Sequence, residues 1–540
     1  MKSVTKTIIL NGKKLTLDDL ISSAYNLDTR FKLDKKARPK ILKSRQWVER
    51  IQEQGTPVVY GINTGFGSKA TVSISQGKLK DLQRNLIMSH AAGTGEALPI
   101  EVVRTAMLLR INTFAKGYSG VRPELIDTLI QMLEKGVVPW IPEQGSLGAS
   151  GDLAPLSHLG LVLSRGVKED KEEYSGLAYF FNKQKLQWEL TSGKTVMRKA
   201  SIPRLILEAK EGLALTNGTQ ISTAILALAL YQAKRLVKQA DIAMAMSLEA
   251  LQGISSAFRE ELHALRPHSG QLRTARNIRR LIKGSKLIDL FPERVQDAYS
   301  LRCHPQVLAG VRSALDYIQD IIHIEINSTT DNPVIIPELP DGNKALSGGN
   351  FHAQPIAFAA DFLAMVLCEV GSIAERRIFR LSDKNLNNGL PSFLTANSGL
   401  ESGLMLAQYT AAALVSENRA LAHPASIDSI PTCENQEDHV SMAPIAARKA
   451  SAILQNVQKI VAIELLYAGQ ALDFRKQKWG KNKPESLFGS GTATAYQELR
   501  KKIPFISSDQ PLYPHISAAV DLVRSNVILE KVEKKIGTLD

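Results

Sequence analysis

Cysteine is scarce in this chain of 540 residues, which contains only Cys303, Cys368 and Cys433. The number is odd and no two cysteines are separated by just two residues, so neither a disulfide framework nor a zinc ribbon is expected. The ten histidines are scattered and form no His-Glu-x-x-His pattern. We therefore expect a cytoplasmic, reducing environment and no bound metal.

Long hydrophobic runs are also missing. No stretch of about 18 uninterrupted apolar residues is present, so the sequence predicts no membrane-spanning helix. The N-terminus carries lysines and only a short apolar run at Ile8–Leu10, which does not predict a secretion signal. Aromatic residues make up 6% of the chain, 44% is hydrophobic and 22% charged, which is typical of a globular protein and excludes disordered, collagen-like and rod-like chains.

Acidic residues are fewer than basic ones, 53 against 67, which gives a net charge of +14. Basic residues are modestly concentrated in 32–45, 273–283 and 475–483. No stripe of exposed aromatic residues or helix suited to reading bases accompanies them. We interpret them as solvated faces of a protein that handles small anionic molecules and has no nucleic acid partner. A basic scaffold or nucleic-acid-binding protein is the alternative from a different class.

Helical patterns dominate the chain. Residues 220–252 contain neither Gly nor Pro, and their apolar side chains surround nearly the whole helical circumference, which predicts a buried central helix of roughly 50 Å. Residues 445–468 carry a second apolar stripe, with Gly469 as its expected end. Further helices are predicted at 306–326, 355–380, 402–420 and 516–532. Several long helices joined by polar loops predict a mainly α fold built as a bundle.

Few segments of the chain favour strands. The Asn-Gly pair at 11–12, between two apolar runs within 7–17, predicts a small N-terminal hairpin. Residues 167–202 are polar and irregular, which indicates a surface insertion. We expect three parts: an N-terminal domain at 1–219, a central long-helix bundle at 220–475 and a C-terminal helical segment at 476–540.

The segment from Gly145 to Asp152 reads Gly-Ser-Leu-Gly-Ala-Ser-Gly-Asp. Asp152 is a favoured N-cap residue and Pro155 is tolerated in a first helical turn, so a helix is expected here with Ala149-Ser150-Gly151 at its positive end. An ordinary glycine-rich turn before a helix would have the same pattern. An acyl-transfer nucleophile is a further interpretation, but the Gly-x-Ser-x-Gly elbow is absent.

Seven motifs, this segment among them, resemble the aromatic amino-acid ammonia-lyases that build a methylidene-imidazolone group from an internal Ala-Ser-Gly. The resemblance extends from about Val58 to Phe474 and is strongest to members of the family that act on histidine. Small residues are usual in the family at positions 433–434, where this chain has Cys433 and Glu434. The motifs lie at 60–67, 83–90, 149–152, 211–220, 295–303, 347–352 and 435–441.

The resemblance implies a long-helix bundle of the fumarase/aspartase-like type with catalytic loops at helix ends. It also implies a homotetramer whose sites combine several subunits. The amide nitrogen of Gly151 would attack the carbonyl carbon of Ala149, and Ser150 would lose water, giving 4-methylidene-imidazol-5-one. Such an electrophile has a physical reason, because a positioned base supplies only about 10²–10⁴-fold whereas enzymes need on the order of 10⁶-fold or more. No metal or nucleotide cofactor is expected.

The resemblance further implies a set of site residues. Tyr60 would help to remove the substrate β-proton from a loop whose glycines let it close as a lid. Asn217 would hold the carbonyl of the prosthetic group or the substrate amine. Arg302 would bind the substrate carboxylate as a fork, on a helical face shared with residues 296 and 299. The implied catalytic residues are Ala149, Ser150, Gly151, Tyr60, Tyr299 and Glu437, and the implied substrate-binding residues are His90, Asn217, Gln296, Arg302 and Phe351.

The activity implied is elimination of ammonia from L-histidine to give trans-urocanate, the first step of histidine degradation. His90 and Glu437 would place polar groups at the substrate ring, and Phe351 would line its pocket. A tyrosine or phenylalanine ammonia-lyase or an aminomutase is the alternative, and phenylalanine lyases usually carry apolar residues near 90 and Gln near 437. The fumarase-type enzymes are set aside because their Gly-Ser-Ser-x-Met signature is absent.

Overall fold

The structure, a computed structural model, describes residues 6–340, 344–479 and 487–540. Parts of the basic segment 475–483 and of the predicted C-terminal segment therefore lie outside the described residues. The α-helices are α1 Leu17–Tyr25, α2 Ala37–Gln54, α3 Leu79–His90, α4 Ile100–Ala115, α5 Pro123–Glu134, α6 Leu153–Leu163, α7 Gly193–Lys199, α8 Glu211–Thr216, α9 Gln220–Ala250, α10 Glu260–Ala264, α11 Ser269–Leu281, α12 Tyr299–Arg302, α13 His304–Glu325, α14 Gln354–Ser382, α15 Met405–Leu421, α16 Ala443–Trp479, α17 Ser490–Arg500, α18 Tyr513–Arg524 and α19 Val527–Ile536.

The strands are short and form five small sheets. They are β1 Thr7–Leu10, β2 Arg30–Leu33, β3 Thr94–Ala97, β4 Val137–Pro139, β5 Pro142–Gln144, β6 Ser164–Arg165, β7 Leu177–Asn182, β8 Gln187–Ser192, β9 Leu205–Ile206, β10 Val334–Ile335 and β11 Ala345–Leu346. The pairs β1–β2 and β6–β9 are parallel, whereas β3–β5, β4–β7–β8 and β10–β11 are antiparallel.

The described chain divides into two compact units, each assembled from separate stretches of sequence. Unit 1 comprises the described residues of Met1–Leu228, Gln319–Asp361 and Pro424–Arg448, and unit 2 those of Ala229–Ile318, Phe362–His423 and Lys449–Asp540. Four of the five boundaries fall inside the long helices α9, α13, α14 and α16, and the fifth follows α15. The division into three consecutive parts stays a prediction.

Unit 1 contains every strand among the described residues, together with α1–α8. One of its core clusters is formed by apolar side chains from α2, the loop after it and more distant segments: Trp47, Val48, Ile51, Ile62, Leu79, Ala209 and Ile335. This cluster anchors both ends of the segment 55–78, which contains the predicted lid glycines.

All helices and strands assigned within the described residues of unit 2 are helices, joined by loops. A fully buried ion pair crosses its core, because Arg377 on α14 donates through Nε and Nη2 to the two carboxylate oxygens of Glu464 on α16, at 2.5 and 2.8 Å. Ser247 on α9 donates to the same carboxylate at 2.9 Å. A buried charge is tolerated only when it is paired and hydrogen-bonded, and both conditions are met here.

The predicted long helices are confirmed. No residue of α9 is exposed, as an apolar circumference requires. The end predicted at Gly469 is wrong, since α16 continues to Trp479. A β-carbon at Gly469 would overlap the side chain of Leu499 on α17, so the glycine serves close helix packing within unit 2. The helix predicted at 516–532 is divided into α18 and α19 by Asn526, which has a left-handed φ of 60°.

The N-terminal hairpin is wrong. Strand β1 pairs in parallel with β2, and the second apolar run is a loop segment that reaches α1 at Leu17. The reason is a capping box, in which the Thr16 side chain accepts from the Asp19 amide and the Asp19 side chain accepts from the Thr16 amide. The segment 167–202 is also more regular than predicted, because it contains the β7–β8 hairpin and α7.

One described helix, α14, is long and apolar enough to span a membrane by length and composition alone. About 61% of its most apolar window is buried inside the protein, as in the core helix of a folded domain.

Candidate active site

Residues 148–151 form a tight turn at the start of α6. The amide of Gly151 donates to the carbonyl of Gly148 at 3.3 Å, and both Ser150 (φ 50°) and Gly151 (φ 77°) are left-handed. A non-glycine residue in this region stores about 1–3 kcal/mol of strain, which the surrounding structure must hold. Ser150 is therefore fixed in an unfavourable backbone conformation.

The turn is held by its pairing with Gly218, on the loop between α8 and α9. Gly218 donates to the Ser150 carbonyl at 3.3 Å, and Asp152 donates its amide to the Gly218 carbonyl at 2.7 Å. A β-carbon at Gly151 would overlap the Gly218 carbonyl oxygen. This close approach of two backbones gives the physical reason for glycine at position 151.

Asp152 precedes α6 as predicted, but its side chain does not cap that helix. Its carboxylate instead accepts from the amides of Ile221 and Ser222, at 2.8 and 2.9 Å, and so caps α9. Burial raises the pKa of Asp152 to about 6, against the opposing effect of these hydrogen bonds and of Arg110. The residue after the Ala-Ser-Gly segment thus joins the starts of two helices.

Glu437 lies directly against the turn. The Ser150 hydroxyl donates to Oε1 of Glu437 at 3.1 Å, and the Thr432 hydroxyl donates to Oε2 at 3.2 Å. Residues 433–435 between them are all left-handed, with φ of 53–64°. Backbone bonds in both directions between Thr432 and Glu437, at 3.0 and 3.3 Å, close this loop. The carboxylate is therefore oriented by its own loop and by Ser150.

Tyr60 lies in the loop after α2, and its hydroxyl accepts from the Gly67 amide at 3.2 Å. Burial is the main cause that raises the pKa of Tyr60, and the nearby Glu437 and Cys433 raise it further. A β-carbon at Gly67 would overlap the Cys433 sulfur, so the two loops pack tightly. Tyr60 is consequently a neutral phenol in the resting protein, in the same neighbourhood as Glu437.

His90 is the last residue of α3 and is half-buried. Burial lowers its pKa, while the nearby Glu437 acts in the opposite direction. Ser89 and Nδ1 of His90 are 3.0 Å apart. A neutral imidazole near a carboxylate provides a polar surface with both donor and acceptor capacity.

Asn217 follows α8 and is almost fully buried. Its Nδ2 donates to the carbonyl of Asn332 at 2.8 Å, whereas Oδ1 has no hydrogen-bond partner among the described residues. A buried acceptor without a partner costs free energy, so a group that donates to it would be bound favourably.

Phe351 is half-buried in the loop before α14. This loop is attached to Asn332, which accepts from the Gly348 amide at 2.8 Å and lies 3.3 Å from the Ser347 hydroxyl. Asn332 therefore links the Phe351 loop to Asn217. The neighbouring Asp331 forms a fully buried ion pair with Lys210, at 2.9 Å, which fixes this segment.

Three of the predicted residues belong to unit 2. Gln296 is exposed and precedes α12, so its predicted place on a common helical face is wrong, because the helix begins only at Tyr299. The Arg302 guanidinium lies 4.5 Å from the centre of the Tyr299 ring, and its Nε has no partner among the described residues. Arg377 donates to the Ser300 carbonyl at 3.2 Å and so supports α12.

Within unit 1 the structure thus brings together Tyr60, His90, Ser150 and Glu437, while Asn217 approaches Ser150 through its neighbour Gly218. Sequence reasoning missed Thr432 and Asn332, which hold these residues within unit 1, and Arg377, which supports α12 within unit 2. The consecutive Asp-Asn-Pro at 331–333 was a usable signal for a fixed loop, whereas nothing local distinguishes the other two. Among the described residues, no group of three or more His, Cys, Asp or Glu side chains could hold a metal ion.

Comparison with known proteins identifies the family of this chain. The profile of the aromatic amino acid lyase family matches residues 15–501. The chain belongs to this family, and the predicted mainly α fold with long helices and the predicted carbon–nitrogen lyase class are confirmed.

The following proteins are similar to this chain over nearly their full length. A histidine ammonia-lyase from Caldanaerobacter subterraneus subsp. tengcongensis is 49% identical over 535 residues, 99% of each chain. The crystal structure of a histidine ammonia-lyase from Trypanosoma cruzi has a TM-score of 0.87 at 38% identity and covers 98% of this chain and 96% of that one. A tyrosine aminomutase from Streptomyces globisporus has a TM-score of 0.88 at 35% identity, covering 99% and 100%.

Proposed function

We propose that this protein eliminates ammonia from L-histidine to give trans-urocanate. We also propose that Ala149-Ser150-Gly151 cyclises on its own to the methylidene-imidazolone group. The observation that carries the proposal is the strained turn at Ser150, whose hydroxyl is bound by Glu437. The full-length similarity to a histidine ammonia-lyase supports the choice of substrate.

The residues present fit the group. Gly151 has no side chain to obstruct attack on the Ala149 carbonyl, and the turn already brings residues 148 and 151 within hydrogen-bond distance. Two waters would leave, lowering the mass by about 36 Da. When formed, the group supplies the electrophile that activates the substrate for loss of ammonia.

The other side chains would bind and orient the substrate. Arg302 would bind the carboxylate through two parallel hydrogen bonds. Asn217 would accept from the ammonium, since its buried Oδ1 is an acceptor without a partner among the described residues. Tyr60 would take part in removing the β-proton. Because its pKa is raised, it becomes a base only when the positive charge of the substrate lowers that pKa. Tyr299 and Gln296 would complete the carboxylate end.

Histidine is favoured over phenylalanine by the polar groups around Glu437. An imidazole has a donor and an acceptor nitrogen, whereas a phenyl ring has neither. A site built to hydrogen-bond its substrate discriminates by about 10⁴–10⁵ against an analogue without those groups in the best cases. His90 and Glu437 supply such groups, and Phe351 would pack against the ring.

A tyrosine-directed lyase or aminomutase is the second candidate, because the structural similarity to a tyrosine aminomutase is equally close. The test is incubation of the purified protein with L-histidine, L-tyrosine and L-phenylalanine while ultraviolet absorbance is followed for urocanate, coumarate or cinnamate. We expect urocanate to form fastest. Faster formation of coumarate or cinnamate would contradict histidine as the substrate but not the family.

We also propose a cytoplasmic homotetramer without nucleic acid or membrane partners. Four large apolar side chains of unit 2 support self-association, because they are 38–56% exposed on α14 and α15: Phe362, Met365, Leu406 and Tyr409. All three cysteines are free thiols, as a reducing compartment allows. Light scattering after size exclusion should give about four times the chain mass, and a monomer would contradict the assembly.

A further inference from the structure

We propose that Glu437 acts during maturation of the protein, as the acid that protonates the departing hydroxyl of Ser150. This inference rests on the proposed function, because it concerns how Ala149-Ser150-Gly151 is converted. It assigns Glu437 a role that precedes any contact with substrate.

A serine hydroxyl does not leave readily as hydroxide, so an acid is needed at the oxygen when the Cβ–Oγ bond breaks. Glu437 is placed for this, since its Oε1 is 3.1 Å from Ser150 Oγ. General acids act across such a hydrogen-bond distance. In the resting pair the hydroxyl donates to the carboxylate, and the same separation serves a proton moving the other way from a protonated Glu437.

The carboxylate is held in this position before substrate binds. Thr432 donates to its second oxygen at 3.2 Å, so Oε1 alone is directed at Ser150. The backbone bonds between Thr432 and Glu437 and the left-handed residues 433–435 fix the loop on which it sits. An acid that has to act once, in a folding chain without substrate, must be positioned by the chain itself.

The atoms balance in two steps. First the Gly151 nitrogen bonds to the Ala149 carbonyl carbon, and the carbonyl oxygen leaves as water with the hydrogens of the Gly151 and Ser150 amides. Then the Cα–H electron pair of Ser150 becomes the Cα=Cβ bond while the Cβ–Oγ pair leaves with the oxygen. Glu437 supplies the proton that makes this oxygen water. The Cα proton passes to solvent, and solvent returns a proton to Glu437.

Because maturation precedes catalysis, the Glu437 carboxylate can serve in both. While Ser150 keeps its hydroxyl, Glu437 is engaged by it. Once the second water has left, the hydroxyl no longer exists, and Oε1 is released to face the substrate ring. Loss of Glu437 should therefore affect maturation independently of its effect on turnover.

The test is the mass of the tryptic peptide 136–165, which contains the segment, in full-length protein sampled over time after cell-free synthesis. The unaltered chain should reach a loss of about 36 Da. Glu437→Gln keeps the shape but cannot release a proton, so the second dehydration should slow by roughly 10²–10⁴-fold and a species at about −18 Da should accumulate. Glu434→Gln, an exposed glutamate on the same loop, is the matched control and should mature normally.

The outcomes separate the two proposals. Full loss of 36 Da at the unaltered rate in Glu437→Gln would overturn the maturation role and leave the proposed function intact. Absence of that loss in the active unaltered chain would instead overturn the prosthetic group itself. If Glu437→Gln does not fold, as judged by circular dichroism and size exclusion, Thr432→Val removes the hydroxyl that donates to Oε2 and to the backbone carbonyl of Glu437. An unchanged maturation rate in that variant would also overturn the role.

Discussion

The Ser150 turn of unit 1 and helix α12 of unit 2 both carry residues of the proposed reaction, but the chain holds these two regions in different ways. The turn is fixed by backbone bonds to Gly218 and by the buried Asp152. In α12, a helix of four residues, Tyr299 is 71% exposed and Arg302 stacks on it. The difference teaches that residues which must react with one another are constrained within their own chain, whereas residues that meet a diffusing substrate stay accessible.

The largest effect is expected at the constrained region, the Ser150 turn. Ser150→Ala removes the hydroxyl whose loss creates the electrophile, so turnover should fall by roughly 10³-fold or more while the protein still folds. Turnover measured by urocanate absorbance, with circular dichroism as the folding control, checks this. Activity within tenfold of the unaltered protein would show that the turn does not carry the chemistry.

Arg302→Lys tests the accessible region, helix α12. Lysine keeps the charge but loses the two-pronged geometry, so kcat/KM should fall by roughly 10–10³-fold, equivalent to about 1.4–4 kcal/mol. The loss of 36 Da should be unaffected, because α12 takes no part in cyclisation. Arg266→Lys, an exposed arginine of the same unit, is the control. If Arg302→Lys also failed to lose this mass, the proposed distinction between the Ser150 turn and helix α12 would be wrong.

Gly151→Ala tests how tightly the turn is held. The new β-carbon would overlap the Gly218 carbonyl, so we expect no cyclisation and a lower apparent Tm. Gly55→Ala is the matched control, because Gly55 has a similar φ of 71° but no atom within 4 Å of the added carbon, leaving only a left-handed cost of about 1–2 kcal/mol. Equal Tm values for the two variants in a thermal melt would mean that the backbone contact is not restrictive.

The smallest effect concerns pH and the helix that follows the turn. His158 on α6 accepts from the Gly93 amide at 3.2 Å, and burial lowers its pKa to about 4. His158 therefore takes up a proton near pH 6.5 in the unfolded chain but only near pH 4 in the folded chain. The free energy of unfolding falls as pH decreases from about 6.5 towards 4. His158→Gln should show a smaller fall in Tm between pH 7 and 5. His268→Gln, at an exposed position, should behave like the unaltered protein.

Local sequence patterns predicted the long helices well, because an apolar circumference or stripe has the same consequence wherever it occurs. Single-residue signals were less reliable. Gly469 looked like a helix end but allows α17 to pack against α16, and Asp152 looked like the cap of α6 but caps α9. Gln296 matched the spacing of a helix that begins only after it. For Gly469 and Asp152, a partner far away in the sequence decided what the residue does.

The sequence by itself determined the helical class, the motifs and the identity of the reacting segment, because these depend on residue type and spacing alone. Only the tertiary structure decided that Ser150 meets Glu437, 287 residues later, and that Asn217 has a buried acceptor oxygen without a partner among the described residues. Hydrogen bonds extend about 3 Å, and no spacing rule states which distant atoms fall within that distance. Which polar side chains meet depends on how the core that carries them packs.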